Sequence, residues 1–279
     1  MNIIDGKAIS KKVKEQVKQE VKRLPEKPCL LVILVGNDQA SQIYVASKEK
    51  ACKAVGIEAR TIVLDENIPQ KELISHIKEA NNDKTVNGIL VQMPLPKHMN
   101  ALDVVEAIDP KKDVDGLHAI NQGRLMLNEK GIIPATPKGI MRLLSEYCVE
   151  LEGKNAIVIG RSMLVGKPIG MLLLQKNATV IYAHSKTKNL KELCLQSDII
   201  VSAVGKPKMI TEDMVKEGAI VIDVGINRVL GTIVGDVDYL QVAPKTSRIT
   251  PVPGGVGPMT IACLLENVVE CYHLQHESK

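Results

Sequence analysis

"NAIVIGRSMLVGKPIGMLLL" (residues 155–174) decides how this 279-residue chain folds. An apolar run of strand length stops at Gly160, a short turn carries Arg161, Ser162, Val165 and Gly166, and an apolar segment of helical length follows. In that order Gly160 permits a tight turn and Gly166 lets backbone approach a phosphate. The helix start offers free N–H groups and a positive dipole end. The turn reads Gly-Arg-Ser-x-x-Val-Gly-x-Pro, not Gly-x-Gly-x-x-Gly, and alone it also suits an ordinary βα connection with two structural glycines.

The sequence around it narrows the reading. "ATVIYAH" (178–184), "DIIVSAVG" (198–205) and "AIVIDVG" (219–225) are three more short apolar strands separated by helix-length segments. Together they form the skeleton of a Rossmann-type dinucleotide-binding domain, expected over residues 139–259. Its second strand ends in His184, Ser185, Lys186 and Thr187. A carboxylate at that place holds ribose hydroxyls and repels a 2′-phosphate, so donors without an acid, with Arg161 on the same side, favour NADP over NAD.

The first half has a similar rhythm. Ile9, Val13, Val17, Val21 and Leu24 recur at helical spacing before Pro25. "CLLVILVG" (29–36) is a continuous apolar run, the pattern of a parallel strand buried on both faces. A helix over 39–55 with Gly56 as its stop, the strand "IEARTIVLD", a helix from Pro69 to about Asn81, the strand "VNGILVQMP" and a short helix in "NALDVVEAI" follow. Thr136 and Pro137 open another helix. The expected architecture is two α/β domains with a cleft between them: residues 1–138 plus a C-terminal helix of about 260–279, and the Rossmann-type domain.

Composition sets the outer limits. A hydrophobic fraction of 45% supplies real cores, while a net charge of +4 without a long basic run suits small anions and gives no sign of nucleic acid. The six cysteines are scattered and show no metal or disulfide pattern. No secretory leader and no membrane-length apolar run is recognised, so a cytoplasmic protein is expected. With no Phe, no Trp and five Tyr, few side chains here can stack on a ligand ring.

Tyr44 and Lys48 lie four residues apart, on one face of the 39–55 helix. Gln92 stands between the third strand and Pro94, and Asp113 and Asp115 occupy "KDVDG" beside Gly116. Each alone has an ordinary reading as a solvated lysine, a turn glutamine or a loop aspartate. "DPKKDVDG" lacks the spaced ligands and closing Glu of a calcium loop. "ITPVPGGVGPMTIA" (249–262) is too rich in Pro and Gly for regular structure and makes a rigid loop able to pass close to a ligand.

"SQIYVASKEKACKAVGI", "GILVQMPLP", "KDVDGLHAINQGRL", "PATPKGI", "GRSMLVGKP", "ATVIYAHSKT", "SDIIVSAVGKP", "VIDVGIN", "GDVD" and "TPVPGGVGPMT" follow one another in the order found in methylenetetrahydrofolate dehydrogenase/cyclohydrolases. The chain resembles that bifunctional family over nearly its full length. The resemblance implies oxidation of 5,10-methylenetetrahydrofolate by NADP⁺ and hydrolysis of the methenyl product to 10-formyltetrahydrofolate, without a metal and in a homodimer. It implies that Lys48 is the central catalytic group, supported by Gln92 and Asp115. Tyr44 would stack on the folate, Asp115 would grip the pterin, and Pro253, Gly254 and Gly255 would bring backbone to the substrate. Arg161 and Ser185 would hold the 2′-phosphate, with Gly160, Ser162, Val165, Gly166, His184, Ile226, Gly257 and Thr260 lining the rest of the cofactor site. One departure is Ala135, where the family often has Cys, so no thiol can act there.

Two rival enzymes share parts of this pattern. A short-chain dehydrogenase also uses Tyr-x-x-x-Lys, but downstream of its glycine loop and in the same domain; here the pair comes first. A shikimate-dehydrogenase-like NADP oxidoreductase has the same domain order, but expects a Gly-x-Gly-Gly turn and leaves the Pro-Gly-Gly loop unexplained. A non-enzymatic NADP-binding regulator would have no use for Lys48, Gln92 and Asp115 together.

Overall fold

A computed structural model describes residues 2–276. The described chain divides into two compact units: one joins the chain up to Lys11 with Thr136–Thr260, the other Lys12–Ala135 with the chain from Ile261.

In the second of these, called here the Lys48 unit, the central strand is β1 (Cys29–Val35), buried along its whole length as its unbroken apolar run predicts. It lies between β2 (Glu58–Leu64) and β3 (Gly88–Val91) in an all-parallel sheet of order β2-β1-β3. The helices are the part of α1 (Gly6–Val21) from Lys12 on, α2 (Gln39–Val55), α3 (Gln70–Asn82), α4 (Ala101–Glu106) and α5 (Ala119–Leu127). Ile33, Val35, Ile89 and Val91 of the sheet pack with Leu73 and Ile77 of α3 in one buried cluster. Asp38 caps α2 by accepting from the Ser41 N–H at 2.8 Å, and Gly56 ends it in a left-handed conformation (φ 87°), as the Gly stop predicts. Helix α5 falls where the sequence pattern shows only a polar loop. It is short, holds Gly123 and starts from His118, whose Nδ1 accepts the Ile120 N–H at 3.1 Å, a cap that a residue pattern does not announce.

The other unit, the glycine-loop unit, starts with α6 (Ala135–Glu146) and carries β4 (Asn155–Ile159), α7 (Gly166–Leu174), β5 (Thr179–Ala183), α8 (Leu190–Leu195), β6 (Ile199–Ser202) and β7 (Ile220–Asp223). A hairpin of β8 (Asn227–Val229) and β9 (Thr232–Val234), the short α9 (Tyr239–Val242) and β10 (Arg248–Ile249) complete it. The main sheet is parallel with order β10-β7-β6-β4-β5. From β4 the chain goes to β5 on one side, then crosses to β6 on the other. The order therefore reverses between β4 and β6, and ligands of open α/β sheets bind outside the strands' carboxyl ends at such a point.

The first residues group differently from the expected boundary. Ile3 bridges to Ile249, the Ile4 N–H donates to the Ile249 carbonyl at 2.8 Å, and the Ile249 N–H donates to the Asn2 carbonyl at 2.8 Å. Backbone pairing thus draws the start of the chain to the edge of the second sheet. The final helix α10 (Val256–His276) begins a few residues before the expected start of about 260, and its part from Ile261 groups with the Lys48 unit. Asn267 from that helix donates to the carbonyls of Val114 and Ile133, both at 2.8 Å. Residues 1 and 277–279 of the expected first domain lie outside the described residues.

Candidate active site

In the Lys48 unit the candidate side chains Lys48, Gln92 and Asp115 come together near the end of the small sheet. Lys48 and Tyr44 come from α2, one helical turn apart; Tyr44 is 46% exposed and Lys48 half-buried. Gln92 follows β3, its N–H bonded to the Ile33 carbonyl at 2.9 Å. Its amide is oriented, because Nε2 donates to the Met93 carbonyl at 2.7 Å and leaves Oε1 to accept from Lys48 Nζ at 2.9 Å.

Asp115 reaches the same end of the sheet by backbone pairing. Ile89 bridges to Asp113 in parallel, with the Ile89 N–H donating to the Lys112 carbonyl at 2.7 Å. The chain then turns at once, with the Gly116 N–H donating to the Asp113 carbonyl at 3.2 Å, and this turn carries Asp115 close enough for its charge to act on Lys48. Gly88 makes the passage possible, since a Cβ there would stand 2.4 Å from the Val114 side chain. Gly116 (φ 66°) then turns the chain sharply, as its place in "KDVDG" predicts.

The electrostatics of this group are unusual. Burial lowers the pKa of Lys48, while the Asp115 charge opposes that fall. Burial raises Asp115, and Lys48 opposes that rise. Desolvation thus pushes both toward their neutral forms and mutual attraction pushes back. The neighbouring Cys52 thiol is pushed up to about 12 by burial and stays protonated at neutral pH, so the charge felt by Lys48 is that of Asp115. Among the described residues the Asp115 carboxylate accepts no hydrogen bond. A deep carboxylate of this kind is an open acceptor for ligand donors.

Asp113 has another part. Buried, it accepts from the His118 N–H and from Asn121 Nδ2, both at 2.9 Å, and so braces the loop that carries Asp115. Sequence reasoning missed Asn121 and Asn267 in this bracing. An asparagine inside a helical pattern reads as a weak helix former, and only the fold shows that its amide meets loop backbone.

In the glycine-loop unit, β4 and β5 pair Ile159 with Ala183, so the Gly160 turn and the His184–Thr187 turn leave the sheet side by side. Gly160 adopts φ 121°, and a Cβ there would lie 2.4 Å from the Ala203 carbonyl oxygen. A Cβ on Gly166 would lie 2.3 Å from the Gly160 carbonyl oxygen, so only glycines allow this turn. Arg161, Ser162 and Ser185 are exposed, and Val165 is buried. His184 is half-buried; its N–H donates to Thr187 Oγ1 at 2.8 Å, which tightens the second turn.

One expectation changes. The Val165 and Gly166 N–H groups at the start of α7 donate to Ser162 Oγ at 3.2 and 3.3 Å, so they are capped from within. Ile226 and Gly257 come together, since a Cβ on Gly257 would lie 3.9 Å from Ile226 Cδ1. Thr260 Oγ1 lies 2.9 Å from Thr136 Oγ1. The Pro-Gly-Gly loop is held by backbone: Gly255 N–H donates to Pro251 O at 2.8 Å and Lys7 N–H to Gly254 O at 3.0 Å. Pro253 is exposed, and Gly254 (φ 111°) is partly so. This donor set suits NADP, with glycine turns at the order reversal, an exposed cation and hydroxyl beside them, and no acid ending β5.

The tetrahydrofolate dehydrogenase/cyclohydrolase catalytic domain matches residues 4–115, and the NAD(P)-binding domain of the same family matches residues 134–276. The bifunctional protein FolD of Campylobacter concisus is 56% identical over 273 residues, covering 96% of each chain. The crystal structure of the bifunctional enzyme FolD from Campylobacter jejuni superposes with a TM-score of 0.97 at 51% identity over 99% of each chain. A Trypanosoma brucei relative, complexed with NADP cofactor and inhibitor, superposes with a TM-score of 0.94 at 34% identity, covering 99% of this chain and 98% of its own. A shikimate dehydrogenase shares only 12% identity at a TM-score of 0.53, a likeness of fold alone, and that alternative falls away. Both halves of the sequence, with their two sheets and their loops, therefore place the chain in the tetrahydrofolate dehydrogenase/cyclohydrolase family.

Proposed function

We propose that Lys48, Gln92 and Asp115 carry the one-carbon chemistry of this chain, a bifunctional enzyme that oxidises 5,10-methylenetetrahydrofolate with NADP⁺ and hydrolyses the methenyl product to 10-formyltetrahydrofolate. The observation that supports these roles is a half-buried amine held by one neutral partner, within electrostatic reach of a carboxylate that accepts no hydrogen bond among the described residues.

Asp115 accepts from the ring N–H and amino donors of the pterin, and exposed Tyr44 stacks on it. For hydrolysis, water adds to the methenyl carbon and its proton passes to Lys48 Nζ. As the C–N5 bond breaks, the hydroxyl left on that carbon loses its remaining proton and becomes the formyl carbonyl; N5 takes up one of the two water protons, the other leaves to solvent, and the formyl group stays on N10. A cationic intermediate disfavours the ammonium form of Lys48, which adds to the effect of burial. Gln92 keeps Nζ aimed.

Bound NADP⁺ supplies the hydride acceptor. Arg161 and Ser185 hold its 2′-phosphate, and Gly160, Ser162, Val165, Gly166, His184, Ile226, Gly257 and Thr260 line the remainder. Pro253, Gly254 and Gly255 bring backbone to the substrate. We assign residues 1–138 with the last helix to folate and catalysis, and 139–259 to NADP.

The working form is a cytoplasmic homodimer. Leu230, at the tip of the β8–β9 hairpin, is 101% exposed, with Val229 and Ile233 partly exposed beside it, an apolar surface suited to a second copy. Six free thiols suit a reducing compartment.

A spectrophotometric assay with methylenetetrahydrofolate, run with NADP⁺ and NAD⁺ and following methenyl formation and decay, tests the reading. NADP⁺-dependent formation followed by enzyme-accelerated decay is expected. Decay no faster than without enzyme overturns the role given to the Lys48 group.

A further inference from the structure

The glycine-loop unit buries two carboxylates that the reaction above does not use. Asp236 is fully buried, just after β9, and Asp223, the last residue of β7, is nearly so. The Asp236 carboxylate accepts from Ser202 Oγ (3.2 Å), Val204 N (2.8 Å), Gly205 N (3.2 Å), Lys206 N (2.9 Å) and Asn227 Nδ2 (3.0 Å). Asp223 accepts the N–H groups of Gly225 (2.9 Å), Asp236 (2.9 Å) and Val237 (3.0 Å), and so fixes the chain that presents Asp236. Glycines make room for both: a Cβ on Gly225 would lie 2.2 Å from Asp236 Oδ1, and one on Gly235 only 1.8 Å from Asp223 Oδ2.

Three consecutive backbone N–H groups, those of Val204, Gly205 and Lys206, thus end on one carboxylate. They belong to the loop that leaves the carboxyl end of β6. That loop is joined to the cofactor turn, because the Ala203 N–H donates to the Ile159 carbonyl at 2.8 Å and the Ala203 carbonyl lies against Gly160. The β4 and β6 loops flank the point where the strand order reverses, the place at which open α/β sheets bind ligands. Without the carboxylate, three N–H groups would lose their acceptor and the β6 loop would lose its shape.

We propose that Asp236 is a positioning residue for NADP: its buried carboxylate, itself held by Asp223, gathers the 204–206 backbone into the shape that forms the β6 side of the cofactor site. The proposal rests on the NADP reading of this unit. It adds that affinity for NADP is set in part by a residue that does not touch it.

The test measures NADP⁺ binding directly by calorimetry, beside the cyclohydrolase rate on supplied methenyltetrahydrofolate. Asp236→Asn puts an amide N–H against N–H donors whichever way it turns. It is expected to raise the Kd for NADP⁺ about tenfold or more, while the cyclohydrolase rate stays within about twofold of wild type. Ser202→Ala removes one donor without a donor–donor conflict and is expected to raise the Kd about threefold; it carries the test if Asp236→Asn does not fold. Equal losses of both activities in Ser202→Ala, or an unchanged Kd, overturn the proposal. Arg161→Ala separates the two readings. If it weakens NADP⁺ binding and the other variants do not, only the role of Asp236 falls; if it also has no effect, the NADP site itself is misplaced.

Discussion

Each unit holds ionisable groups removed from water near the carboxyl end of a parallel sheet, but the two sets differ in how many fixed donors they receive. Asp223 and Asp236 share eight neutral donors, most of them backbone N–H groups. Lys48 has one hydrogen-bond partner, and the Asp115 carboxylate has none among the described residues. A buried charge surrounded by fixed donors has no capacity left for a ligand and works as a brace. One with empty acceptor sites keeps that capacity for the substrate. The count of fixed donors, more than burial, separates architecture from chemistry here.

Four variants would break or sharpen that contrast. The largest effect is expected for Lys48→Met, which removes the only proton acceptor we assign to hydrolysis. Cyclohydrolase activity should fall about 10³-fold, with NADP⁺ affinity near that of wild type. Unchanged hydrolysis in the decay assay would move the chemistry elsewhere.

Asp115→Asn tests the open carboxylate. Hydrolysis needs neutral Lys48, so the rate rises with pH through the lysine's pKa, which burial has lowered and Asp115 partly restores. Removing the Asp115 charge lowers that pKa further, and the rising limb of the pH–rate profile should move to lower pH. The same change weakens the grip on the pterin, with kcat/KM down about 10²-fold. A limb that moves to higher pH contradicts the assigned coupling.

In the other unit, Arg161→Ala should raise the KM for NADP⁺ about tenfold and that for NAD⁺ by less than about twofold, since only NADP carries the 2′-phosphate. Equal losses with both cofactors would place Arg161 elsewhere on the nucleotide.

Asp223→Asn should change catalysis least and show itself in stability. Burial pushes Asp223 up to about 6, against an ordinary value of 3.8, with the Asp236 charge adding to the rise. The folded chain therefore keeps a proton that the unfolded chain has lost, and wild-type stability falls as pH rises between those two values. The variant lacks that component. Its stability relative to wild type should improve by on the order of 3 kcal/mol from about pH 4 to about pH 7, measured by denaturant unfolding. A difference that does not vary with pH would show that Asp223 titrates normally.

Much of this was legible along the chain because it depends on local pattern. The unbroken apolar run of β1, the strands β4 to β7, the Gly56 stop and the Gly160 turn need only nearest neighbours and burial to be recognised. Tyr44 and Lys48 share a helical face by spacing alone. Helix α5, the β8–β9 hairpin and the short β10 were not legible, because short elements held by caps and distant partners carry weak periodic signals.

The sequence by itself determined the fold class, the order of the two sheets and the residue types available for the chemistry. Only the tertiary structure decided which of those residues stand together. The bridge from Ile89 to Asp113 and the space left by Gly88 put Asp115 beside Lys48. The return of the chain after β9 put Asp236 under the 204–206 loop. These pairings join residues far apart in the chain, and whether a buried carboxylate ends open or saturated depends on backbone N–H groups that every sequence has and only a fold can aim.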